Sequence, residues 1–139
     1  MTDLLTWQDA WDVVNEQLSA VALIALAANP DKKWAASQHD NDRFPFSGVA
    51  SFLPKDDPNA PEDLVISIEV HRDQNTLTWS SEITTGGGAP LAEGPSFVIS
   101  AARPLVFWLD NAVDETMSWL RDQTPAITNY LGHGTPFPS

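Results

Sequence analysis

Between Leu64 and Thr85 the chain reads LVISIEVHRDQNTLTWSSEITT, two runs of alternating apolar and polar residues on either side of a short polar break. Ile66, Ile68 and Val70 alternate with Ser67, Glu69 and His71. Leu77, Trp79 and Ile83 alternate with Thr78, Ser80, Glu82 and Thr84. A period of two in β-branched and aromatic residues marks a strand that buries one face, so the stretch predicts a β-hairpin. The apolar rows fall on even numbers in the first strand and odd numbers in the second. They share a face only if even pairs with odd, which requires an even number of loop residues. A four-residue loop from Asp73 to Thr76 meets this condition and suits Asp and Asn, whose side chains bond local backbone. A two-residue Gln74-Asn75 turn also meets it but lacks the glycine that tight hairpins prefer. Either loop sets Val70 opposite Trp79 and Ile66 opposite Ile83, cross-strand pairs that contribute roughly 0.2–1 kcal/mol each. The other face holds Ser67, Glu69, His71, Thr78, Ser80, Glu82 and Thr84, with Val65 its one apolar member. A face this polar is unsuited to lie under a helix. One side of the sheet is therefore expected to be covered and the other open.

Helical periodicity brackets the hairpin. Trp7, Trp11, Val14, Leu18, Val21 and Ala25 recur at i+3 and i+4, an apolar stripe preceded by Thr6 as a cap and ended by Asn29-Pro30. The second half, Ala20 to Ala28, is apolar all round and is expected to be buried on more than one side. A second helix is predicted from about Arg103-Pro104, with Leu105, Leu109, Ala112, Val113, Thr116, Met117 and Leu120 inward and Trp108 and Trp119 flanking. Pro125 is expected to break or restart it, with a last turn closed by Gly132. Residues 133–139 read as a mobile tail unless Phe137 docks. Between helix and hairpin, residues 31–45 read as a short helix or loop, and Phe46 to Leu53 as a strand that Gly48 weakens or bulges. Residues 54–63 form an acidic, proline-rich loop. TTGGGAPLAEGP reads as a connector, and Ser96 to Ser100 as a fourth strand. The expected fold is α+β: one domain, a two-layer sandwich of a roughly four-stranded, mainly antiparallel sheet with the long N-terminal and C-terminal helices packed on one face.

Composition narrows function by exclusion. Nineteen acids against seven bases leave a net charge of −12. Phosphate neutralisation needs a basic patch, so nucleic acid and anionic membrane are not expected partners. The longest apolar run, Ala20 to Ala28, is far short of the roughly 20 residues that span a bilayer, and acids stand where a signal peptide would carry positive charge. The chain has no cysteine, hence no disulfide, thiolate nucleophile or thiolate metal site, which fits the cytoplasm. His39 to Asp42 (HDND) lacks the glycine and distal glutamate of a calcium loop and reads as a polar turn. The Gly86–Gly88 run has no Lys-Ser/Thr after it and opens no helix, so it is not a phosphate loop. No catalytic residue, metal or cofactor is expected.

Glu69, His71 and Glu82 form the one His–carboxylate constellation that the alternation brings together, and an acid/base pair is conceivable there. An open sheet face offers no concave pocket, however, and a solvated polar surface is the plainer account. The tryptophans fall on core stripes except Trp34, a candidate interface anchor. An acidic surface steers and attracts a basic protein. The expected contacts are Asp56, Asp57, Glu62 and Asp63 of the acidic loop, Glu69, His71 and Glu82 of the open face, and Trp34. In size, acidity and lack of motifs the chain resembles the immunity proteins of bacterial toxin systems. The resemblance implies a cytoplasmic inhibitor that binds and neutralises a basic toxin or effector. It rests on no residue motif, so it assigns no site. The chain is also similar in type to the small acidic secretion chaperones, which implies a homodimer through the Ala20 to Ala28 region and an exported partner. A small-molecule enzyme using Glu69, His71 and Glu82 is the third expectation.

Overall fold

In the computed structural model the described residues are 7–28, 34–41, 46–54, 64–100, 102, 108–134, 136 and 137. They form an α+β fold in the order α1 (Trp7–Ala28), β1 (Trp34–Asn41), β2 (Phe46–Pro54), β3 (Leu64–Asp73), β4 (Thr76–Thr84), β5 (Pro90–Glu93), β6 (Phe97–Ser100) and α2 (Leu109–His133). Every strand pairing is antiparallel. Strands β1 to β4 follow one another across the sheet, and β5 and β6 share the outer edge of β4.

The β3–β4 hairpin has the expected register, with Val70 opposite Trp79 and Ile66 opposite Ile83. Asp73 pairs with Thr76, so the turn is the two-residue form, and Gln74 takes the positive φ, 54°, that glycine would adopt at lower cost. Leu64, Ile66, Ile68 and Val70 are buried along one side of β3, as are Leu77, Trp79, Ser81 and Ile83 along β4. Trp79 sits at the centre of this layer. Its ring meets Trp11 of α1 edge-on, with centroids 5.7 Å apart, a favoured geometry for aromatic quadrupoles. Its indole N–H donates to Thr116 Oγ1 of α2 at 3.0 Å. Trp11 in turn donates to the Ser47 carbonyl of β2 at 3.1 Å. The predicted stripe of α1 is fully buried from Trp11 through Ala25. Residues Asp9–Ala28 are long and apolar enough to cross a membrane by length and composition alone, a test that a core helix also meets.

Among the described residues six strands replace the expected four. Residues 34–41, read as helix or loop, are strand β1, and His39 to Asn41 lie within it rather than in a turn. The segment has no alternation and no β-branched residue, so its pairing with β2 from Ser47 to Pro54 overrides local preference. Pro90–Glu93, read as connector, is strand β5. Proline argues against a strand except at an edge, and β5 lies at one. The glycine run instead closes the β4–β5 turn, where Thr85 and Ala89 exchange hydrogen bonds: Thr85 N–H to Ala89 O at 2.9 Å, and Ala89 N–H to Thr85 Oγ1 at 3.1 Å.

Gly48 neither breaks nor bulges β2. A Cβ there would lie 3.0 Å from Asn15 Oδ1 and 3.2 Å from Leu18 Cδ1, so its bareness lets α1 approach the sheet. Helix α2 is described from Leu109, and the predicted start near Arg103 lies outside the described residues apart from Ala102. Pro125 does not break α2, which continues to His133 and is capped by Gly134 at φ 68° rather than by Gly132. Of the predicted tail, Phe137 packs on Tyr130 with ring centroids 5.6 Å apart.

Candidate functional site

The second side of the β3–β4 hairpin carries the predicted polar row. Val65, Ser67 and Glu69 are half-buried, His71 and Glu82 are exposed, and Thr78, Ser80 and Thr84 are half-buried. Glu69 and His71 stand two residues apart on this side, and Nε2 of the imidazole lies 3.1 Å from Glu69 Oε2, with both side chains about half exposed (51% and 45%). Glu69 pairs with Ser80 and Glu82 with Ser67, so the two glutamates stand diagonally, as the alternation predicted.

The edge of the sheet adds a residue that sequence reasoning missed. Glu93 of β5 lies directly opposite Glu82 of β4. The connector reading of residues 90–93 hid this pairing; once Pro90–Glu93 is recognised as an edge strand, the hairpin count from Ile83 and Ala92 places Glu93 there. Strands β5 and β6 behave as one edge strand interrupted at residues 94–96. Glu93 pairs with Glu82 and Phe97 with Trp79, so three residues stand against Ser80 and Ser81. This is a bulge, held by the Gly94 N–H donating to the Ser81 carbonyl at 2.9 Å. A Cβ on Gly94 would come within 2.7 Å of the Trp119 ring of α2, so the bulge is shaped around that indole. On the bulge lies a shallow cleft of about 270 Å³ lined by Ser80, Ser81, Glu82, Glu93, Gly94 and Ser96. Beside it Val98, opposite Thr78, is 72% exposed.

The result is a polar, acidic strip over β3, β4 and β5 with one apolar projection. Directly opposed like charges on neighbouring strands are destabilising, and neither Glu82 nor Glu93 makes an ion pair among the described residues. The lysines and arginines among those residues are Arg72, in the row of Leu77, and Arg121 of α2, so among the described residues the strip's own rows hold no counter-cation. The Glu69–His71 pair orients an imidazole beside a carboxylate, as proton-transfer chemistry needs, but both groups face solvent instead of an enclosed cavity.

Of the other predicted contacts, Asp56, Asp57, Glu62 and Asp63 lie outside the described residues. Trp34 opens strand β1 opposite Pro54, with its side chain likewise outside them. Beyond the strip, the second half of α1 is not buried all round. Its outward residues Leu23 and Ile24 are 68% and 52% exposed. No protein-family model, no curated protein and no solved structure matches this chain.

Proposed function

We propose that the chain is an acidic protein-binding module of the inhibitor type, which receives a basic protein on the strip formed by Glu69, Glu82 and Glu93. The observation that carries this reading is the direct opposition of Glu82 and Glu93, neither of which makes an ion pair among the described residues. A fold gains nothing from that pairing by itself, whereas a Lys or Arg brought by a partner satisfies both carboxylates at once. Val98 supplies an apolar contact at the margin of the same surface. The net charge of −12 adds long-range attraction for a basic partner and speeds encounter. The reading takes α1 and α2 to share the Ile66/Trp79 side in a two-layer sandwich, which the contacts of Trp79 with both Trp11 and Thr116 support. It places the protein in the cytoplasm, in keeping with a chain free of cysteine.

The test is affinity capture from the native host with the purified chain as bait, at low and at elevated salt. A basic protein retained at low salt and released as salt rises is the expected result. Reversing Glu69, Glu82 and Glu93 to Lys should weaken its binding by about tenfold or more, mostly through slower association. The same reversal at Asp56, Asp57, Glu62 and Asp63 tests the acidic loop separately. Undiminished capture by the Glu69/Glu82/Glu93 variant would remove the strip as the docking surface.

A further inference from the structure

The polar strip holds one group whose charge is not fixed. Histidine is the side chain that takes up a proton between neutral and mildly acid solution, and His71 stands at the end of the strip with Nε2 3.1 Å from Glu69 Oε2. Along its own row of β3, His71 has Glu69 on one side and Asp73 on the other. Across the hairpin, β4 sets Thr78 directly opposite it, then Ser80 opposite Glu69 and Glu82 opposite Ser67, and β5 adds Glu93 beside Glu82. On the other flank β2 puts Ser47 beside Glu69, and Phe46–Pro54 contains no titratable side chain. Arg72, next in sequence, belongs to the opposite row and donates to the Gln74 carbonyl at 3.4 Å. Among the described residues, then, the imidazole is the one group in the strip's rows that can become a cation.

We propose that His71 makes docking of a basic partner pH-dependent, tight while the imidazole is neutral and weaker once it is protonated. The inference rests on the reading of the strip as the docking surface and names how that surface is regulated. A neutral ring with its proton on Nε2 donates to Glu69 and leaves the carboxylate's charge intact, so Glu69 still attracts an incoming Lys or Arg. A protonated ring forms an ion pair with Glu69, and the partner's cation then meets a positive charge where it met none. Distance limits the reach of this effect. Thr78, level with His71, and Glu82 are four residues apart on β4, roughly 13 Å at the rise of a strand. That exceeds the screening length of about 8 Å at physiological ionic strength. The switch therefore acts on the Glu69 end of the strip and leaves Glu82 and Glu93 charged. One exposed charge of this kind changes an affinity by about two- to fivefold. The coupling is reciprocal, so a bound basic partner also favours loss of the proton from His71.

N-acetylated octalysine serves as the probe, because lysine keeps its charge across this range and any pH dependence then belongs to the protein. Its binding to the full chain is measured by titration calorimetry at about pH 8 and about pH 5.5, at the same low ionic strength. Between the two, the wild type should lose about two- to fivefold more affinity than His71→Asn. His39 and His133, the other two histidines, are common to both proteins and cancel in the comparison. His71→Lys fixes the positive charge, so it should bind more weakly than His71→Asn at both values and show no larger pH dependence. His71 is half exposed, and neither substitution touches the core. Equal losses in the wild type and His71→Asn, in a chain whose octalysine binding is still weakened by reversing Glu69, Glu82 and Glu93 to Lys, would overturn the switch and leave the strip standing. Octalysine binding undiminished by that triple reversal would overturn both.

Discussion

Thr116 is the one polar residue in the otherwise apolar inward stripe of α2, and it is fully buried. Its place there follows from Trp79, whose indole N–H is removed from water by the core and has to find an acceptor. The hydroxyl of Thr116, 3.0 Å away, is that acceptor. Thr116→Val keeps the shape and deletes the acceptor, leaving a buried donor without a partner. Urea unfolding should show a loss of about 1–3 kcal/mol, and a loss within a few tenths would mean the bond contributes nothing net. Sequence periodicity located both residues on inward stripes but could not say that they meet. That depends on how the hairpin and α2 are set against each other, 37 positions apart in the chain.

Among the elements, α2 is the one that departs most from local expectation. Proline in a helix interior removes a donor and crowds the carbonyl four residues back, at a cost of about 3 kcal/mol, yet α2 passes through Pro125 unbroken. Thr124 Oγ1 bonds the Leu120 carbonyl at 2.9 Å, an i−4 side-chain bond of the kind that bends helices. On either side of this point Leu120, Ile127 and Leu131 are buried. The apolar stripe therefore outlasts the proline, and packing holds together what local geometry would separate. Pro125 is itself exposed, so Pro125→Ala should raise thermal stability, by up to about 3 kcal/mol. A fall in Tm would mean that the proline's local geometry is needed to seat Ile127 and Leu131. The strands show the same contest. Strands β3 and β4 announce themselves through alternation, whereas the edge strands β1 and β5 do not. An edge strand has one neighbour and fewer packing demands, so its composition is freer to be polar, small or proline-containing.

For the whole molecule, charge sets stability and recognition against each other. At −12 the folded chain repels itself, and the opposed Glu82 and Glu93 concentrate that repulsion at one edge. Glu93→Gln should stabilise the fold by about 0.2–1 kcal/mol while weakening capture of the basic partner. Added salt should likewise raise Tm and loosen the complex, because at physiological ionic strength the screening length is only about 8 Å. Parallel denaturation and binding titrations of the wild type and Glu93→Gln would show the two effects with opposite signs. A variant that gained stability and bound equally well would separate Glu93 from the docking surface.

By itself the sequence determined the hairpin, its register, the inward stripes of both helices and the polar character of the second sheet face. All of these are local periodicities, enforced because a slip of one residue would turn an apolar row outward. Only the tertiary structure decided that residues 34–41 and 90–93 are strands, that Glu93 faces Glu82, that Gly48 and Gly94 make room for α1 and Trp119, and that Leu23 lines a groove beside β1. Each of these is a relation between segments distant in sequence or weak in pattern. Local propensity there amounts to a fraction of a kcal/mol per residue, and the neighbouring strand or helix supplies the larger energy that settles the outcome.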